Sequence, residues 1–220
     1  MNEENVNAYN YLLFSQLLNM IEKYENTPKD RIPEDELTAL ELLHSKLNKT
    51  LGISDGINWS VNWQVEKYAD DNDFESGTPY EVCYSKQNVV LNVGIREMLS
   101  VITGTGGIVF SAANAHIGVG TDGTRDGDPT VTNLIATAPN RSYAPMDATY
   151  PQVSSDGFSM VYAASFGENA ANFAWNEVVV ANGDFSGVAH RALNRKVVNL
   201  GTKSTGTWRL IVTITMTATP

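Results

Sequence analysis

A chain of 220 residues with 42% apolar and 18% charged residues is long enough to bury a sizeable core and too apolar to be disordered. Its net charge of −10 is concentrated at the start: residues 1–86 hold 16 acids and 7 bases (−9), and residues 87–220 hold 9 and 8 (−1). An acidic surface is repelled by phosphate backbones, which argues against a nucleic-acid partner.

Residues 5–25 place Tyr9, Leu12, Leu13, Leu17, Met20, Ile21 and Tyr24 at the three-and-four spacing of an amphipathic helix. Pro28 and Pro33 bound a break. Pro33 opens a second helix, with Glu34, Asp35 and Glu36 at its positive end, Leu37, Leu40, Leu43 and Leu47 as its stripe, and Gly52 as its stop. Together these predict an acidic helical hairpin over residues 1–55, used for attachment or oligomerisation through Leu12, Leu17, Ile21, Leu40 and Leu43.

At Ile57 the period changes to two. Ile57, Trp59, Val61, Trp63 and Val65 alternate with Asn58, Ser60, Asn62, Gln64 and Glu66, the pattern of a half-buried strand. ADDNDFESGTP reads as a polar loop, YEVCYS and NVVLNV as strands, and residues 95–103 as a short helix with Ile95, Met98, Leu99 and Ile102 on its apolar face, closed by Gly104. Strands follow at FSAANAHIGVG, DGFSMVYAASF and ANFAWNEVVVA, then the basic run HRALNRK as a loop, then a final strand. In that strand Trp208, Leu210, Val212, Ile214 and Met216 share one face and Arg209, Thr213, Thr215 and Thr217 the other, with Ile211 the exception on the polar side. The whole predicts a mainly β chain: an antiparallel, jelly-roll-like β-sandwich over residues 56–220, preceded by the helical hairpin.

No grouping along the chain carries chemistry well. No Ser sits in a Gly-x-Ser-x-Gly turn, and the single cysteine, Cys83, lies in a strand pattern without a neighbouring His and excludes an internal disulfide. Gly118, Gly120 and Gly123 match a dinucleotide fingerprint, but no helical period follows to hold a pyrophosphate, so the segment reads as a turn between strands. Asp122, Asp126 and Asp128 form a weak calcium candidate whose spacing departs from that of a calcium loop; an Asp-Gly surface turn is favoured. Glu168 and Glu177 flank Trp175 as a conceivable glycosidase pair, yet the apolar surroundings favour core.

The four tryptophans, Trp59, Trp63, Trp175 and Trp208, offer a sugar platform, but all lie on apolar strand faces and are read as core. His190, Arg191, Arg195, Lys196 and Lys203 make the one basic series, either a solvated loop or a surface for the acidic N-terminal region of a neighbouring copy. No apolar run reaches 18 residues and no signal pattern opens the chain, so the expectation is a protein folded in a cytoplasm, with no membrane partner and no cofactor.

The ordered series TGTGG, NAHIGVGTDGT, PMDATYPQ, SFGENAANFAWNEVVVANG, HRALNR and LGTKSTGTWRLIVTITMT, from about Val89 to Pro220, resembles a β-rich structural protein of tailed-bacteriophage virions. The resemblance implies a non-enzymatic component of the capsid surface, neck or tail, made in the bacterial host. Its partners would be itself, as a cyclic homo-oligomer, and other virion proteins, with Arg191, Arg195, Thr213 and Thr215 as contact candidates on the sandwich. Two rivals are a module that binds host-surface glycan and a glycan-degrading tail enzyme.

Overall fold

The computed structural model describes residues 57–86, 88–183 and 191–218, with isolated positions at 15, 16, 19, 23, 33, 35, 36, 38 and 39. Apart from 33, those isolated positions are helical, and Lys23 Nζ meets Glu36 Oε2 at 2.7 Å. The contact candidates Leu12, Leu17, Ile21, Leu40 and Leu43 lie outside the described residues.

From residue 57 the elements run β1 (Ile57–Tyr68), α1 (Asp71–Ser76), β2 (Glu81–Lys86), β3 (Val89–Val90), α2 (Asn92–Thr103), β4 (Ala115–Gly120), β5 (Arg141–Pro145), β6 (Gln152–Val153), β7 (Ser159–Phe166), β8 (Glu177–Asn182), β9 (Arg191–Val197) and β10 (Thr207–Ala218). They form two five-stranded sheets, ordered β2-β1-β10-β7-β6 and β3-β9-β8-β4-β5. The first and last of the described strands, β1 and β10, are thus neighbours within one sheet, two long amphipathic strands shielding each other's backbone edges. The sandwich expected from the strand periods is the observed fold.

Its core lies between the sheets. Val61, Trp63 and Val65 of β1 and Leu210, Val212 and Ile214 of β10 meet Ile117 and Val119 of β4 and Val178 and Val180 of β8. Trp175 sits at the centre, edge to face with both Phe166 and Trp208 at 4.9 Å between ring centroids, and its indole N–H donates to the Ala171 carbonyl at 2.9 Å. Trp63, Trp175 and Trp208 are buried, and Trp59 packs against the same cluster. The tryptophans are core residues, as read from their strand faces.

The second sheet is covered on its outer side as well. Val179 and Ala181 of β8 and Ala192 of β9 pack with Leu91, Val131 and Leu134 from the segments that cross over them. This two-sided burial is why EVVVAN reads as a continuous apolar run where alternation would mark a half-exposed strand. Helix α2 reaches the sheet through Gly94, where a Cβ would stand 2.6 Å from the Leu193 backbone, and stops at Gly104 in the left-handed conformation (φ 65°).

Three sequence readings need correction. ADDNDFESGTP is not simply a loop: it contains α1, capped by the Asp70 carboxylate accepting from Asp73 N–H at 2.9 Å and closed by Gly77 (φ 67°). HRALNRK is not a loop from Arg191 onward but the strand β9, paired with β8. Gly118 and Gly120 are not in a turn. They lie inside β4, where side chains at those positions would strike Tyr143 and Glu177, each 2.6 Å from the built Cβ.

The chain divides into two compact units, Met1–Asn58 with Thr217–Pro220, and Trp59–Met216. Deleting residues 1–52 is expected to leave a body that unfolds cooperatively in denaturant, since every strand among the described residues begins at or after Ile57. A broad, non-cooperative transition in the deletion variant would mean that the helices complete the core.

Candidate interaction surfaces

The acidic and basic side chains singled out from the sequence are mostly committed to the fold. Glu177, fully buried at the start of β8, accepts from the backbone N–H groups of Ile135 and Ala136 at 3.0 and 2.8 Å and from Arg195 at 2.8 Å. Arg195 in turn donates to the carbonyls of Thr124 and Arg125, at 3.0 Å each. One buried ion pair therefore fastens the long β4–β5 connection onto the outer face of its sheet. Gly120 exists beside it because the Glu177 carboxylate fills the space of a side chain. Over Gly118 lies Tyr143, whose hydroxyl donates to Asn133 at 2.7 Å and whose pKa burial pushes up to about 12.

Arg195 is thus no docking residue, a correction to its place among the surface contacts: it stands in a strand and faces a buried carboxylate, where a solvated basic loop was expected. Lys203 is buried too, with its ammonium donating to the Gly167 carbonyl at 2.9 Å and Asn172 Oδ1 at 2.8 Å. Arg191 remains half exposed and pairs with Glu97 of α2. Burial pushes the Glu97 carboxyl up, but hydrogen bonds from Ile108 N–H, Arg191 and Asn182 outweigh it and hold the group below its ordinary value. With Arg195 and Lys203 buried, the described members of the basic series do not form one patch, and His190 lies outside the described residues.

Asp122, Asp126 and Asp128 do not converge. Asp122 accepts from the N–H and hydroxyl of Thr124, at 2.7 and 2.6 Å, and Asp128 from Thr130 and the Arg125 guanidinium. Among the described residues no group of three His, Cys, Asp or Glu side chains is placed to hold a metal ion. The conceivable glycosidase pair separates as well, Glu168 being exposed while both oxygens of Glu177 are taken.

Among the described residues two surfaces stand out as open. The first is the outer face of the β2-β1-β10-β7-β6 sheet. Here Thr213 and Thr215 are half-buried, and Thr215 shares a 2.7 Å hydrogen bond with Ser159 of β7. Toward one end Arg209 reaches Asp147 at 2.8 Å and Glu66 at 3.6 Å, with the Tyr150 ring 5.7 Å away. Toward the β2 edge three adjacent strands leave a hollow of about 290 Å³ on this face, whose lining includes Asn62, Gln64, Tyr84, Lys86, Ile211 and Thr213. A second hollow of about 400 Å³ continues it through Asn62 and Lys86 to Trp59, Ser60, Val61 and Asn88.

The second surface belongs to α2. Of its predicted apolar stripe only Met98 packs against the core. Ile95, Leu99 (55% exposed) and Ile102 (80%) point outward, while the buried positions are Gly94 and Glu97. The helix is turned this way because Gly94 alone permits close approach to β9 and Glu97 finds three donors beneath it. A large apolar stripe left in water at helical spacing is the mark of a contact surface. None of the described helices is long and apolar enough to cross a membrane.

In comparisons with known proteins, no family model, no curated protein and no solved structure matches the chain.

Proposed function

We propose that this chain is a non-enzymatic structural component of a tailed-bacteriophage virion, which associates with copies of itself and docks to capsid, neck or tail proteins. The observation that carries the reading is the outward stripe Ile95, Leu99 and Ile102 on α2, with exposed Val109 in the segment that follows the helix. A sandwich covered on one sheet by its own loops and helix, and still presenting that stripe, is a rigid body built to be covered further. The residue series from Val89 to Pro220 supports the placement in a virion through its resemblance to such proteins.

The stripe makes a direct test. The purified chain is expected to self-associate, and Leu99→Glu is expected to shift it to the monomer by light scattering, with its denaturant midpoint unchanged because Leu99 is more than half exposed. Expression of the variant in place of the wild-type chain during phage growth should then yield particles lacking it. A wild-type chain that is monomeric at high concentration and does not enter particles would overturn the proposal.

A further inference from the structure

We infer that the groove along β1 and β2 is a carbohydrate-binding site for a short oligosaccharide. This goes beyond the structural role and stands independently of it. The groove is built by register: Gln64 of β1 is paired with Tyr84 of β2, and Asn62 with Lys86, so an aromatic ring, two amides and an ammonium group line one strip of the outer sheet face. Tyr84 is 74% exposed, far more than a tyrosine needs for packing, and its ring stands beside the hollow as a flat apolar surface. Sugar rings offer an apolar C–H face together with a rim of hydroxyls that both donate and accept. A tyrosine face flanked by amide and ammonium groups matches both features at once.

The polar lining continues beyond the first hollow. Past Lys86 the second hollow is lined by Ser60, Asn62 and Asn88, a hydroxyl and two amides. The two hollows, about 290 and 400 Å³, share Asn62 and Lys86, and each is close to or within the range of a small-molecule site. Together they leave room for an occupant of two rings, one against Tyr84 and the next toward Asn88.

The lining separates this site from other ligand classes. Among the described residues the lining holds one cation, Lys86, which is too little for a nucleic-acid backbone, and its mixture of amides and hydroxyls is too polar for a lipid chain. It also replaces the tryptophan platform considered from the sequence, since three of the four indoles are inside the core.

The test is a glycan array of neutral and uronic-acid-containing oligosaccharides probed with the full-length chain, followed by titration calorimetry on the best binder. Tyr84→Ala and Asn62→Ala are each expected to weaken binding about tenfold or more without moving the unfolding midpoint. Tyr80→Ala serves as the control, because Tyr80 is 60% exposed near the same edge but outside both hollows, and it should bind as the wild type does. Retention of acidic glycans alone, lost in Lys86→Ala, would support the site and assign that lysine to a carboxylate. No binding to any glycan, or equal loss in Tyr80→Ala and Tyr84→Ala, would overturn the inference. Because Leu99 lies outside the groove, Leu99→Glu should bind glycan normally, so failure here and failure of the assembly reading are told apart.

Discussion

Val212→Asp is expected to abolish folding of the full-length chain, while Thr213→Asp, one residue on, leaves it folded. Val212 is 0% exposed in the middle of β10, flanked on the same face by buried Leu210 and Ile214, and its strand runs between β1 and β7. A carboxylate there has no donor facing it and no route to water. The cost, on the order of 5 kcal/mol, is comparable to the whole stability of a typical domain. Thr213 points the other way, into the shallow hollow on the outer face, where a carboxylate keeps most of its hydration. A change within about 1 kcal/mol is expected for it. Circular dichroism and urea unfolding of the two variants make the comparison. Equal damage from both would mean that β10 is buried on each side, and a folded Thr213→Asp chain that fails to enter particles would mark the threonine face as a contact surface.

Arg195→Met is expected to cost about 3–5 kcal/mol, because it leaves the Glu177 carboxylate charged, buried and without its cation. The damage should concentrate in the β4–β5 connection, which loses the guanidinium's hold on the carbonyls of Thr124 and Arg125. Amide hydrogen exchange should accordingly quicken between residues 121 and 136. The double variant Glu177→Gln with Arg195→Met should recover part of the loss, since a neutral amide oxygen still accepts from the N–H groups of Ile135 or Ala136 without needing a counter-charge. A cost below about 1 kcal/mol for Arg195→Met would be incompatible with a pair as enclosed as this one.

Both variants bear on how far local sequence reaches. The alternation of β1 and β10 announced their inward faces correctly, down to Trp63, Val65, Leu210, Val212 and Ile214, because a period of two and burial on one side are properties of the strand itself. The stop at Gly104 was equally local, since a left-handed residue with no Cβ ends a helix wherever it occurs. The helix capped by Asp70 and closed by Gly77 had the same kind of signal, overlooked because the stretch is polar throughout and carries no apolar stripe.

The groove belongs to the other category. Tyr84, Gln64 and Asn62 each looked like ordinary strand residues, and only the pairing of β2 with β1 and of β1 with β10 sets them side by side with Thr213.

By itself the sequence determined a mainly β sandwich, the inward faces of its long strands, the burial of Trp63, Trp175 and Trp208, and the change of period at Ile57. These follow from short-range geometry, in which each residue's face is decided by its neighbours two to four positions away. Tertiary structure alone decided the fate of the charges and the direction of α2. Glu177 and Arg195 lie on neighbouring strands, and Glu97 and Arg191 are brought together across the fold, so a base that looks solvated along the chain is neutralised by an acid distant from it. The outward turn of Ile95, Leu99 and Ile102 follows from the same cause: a glycine and a glutamate fit the sheet surface beneath them better than the apolar stripe does, and that surface is assembled from strands distant in sequence.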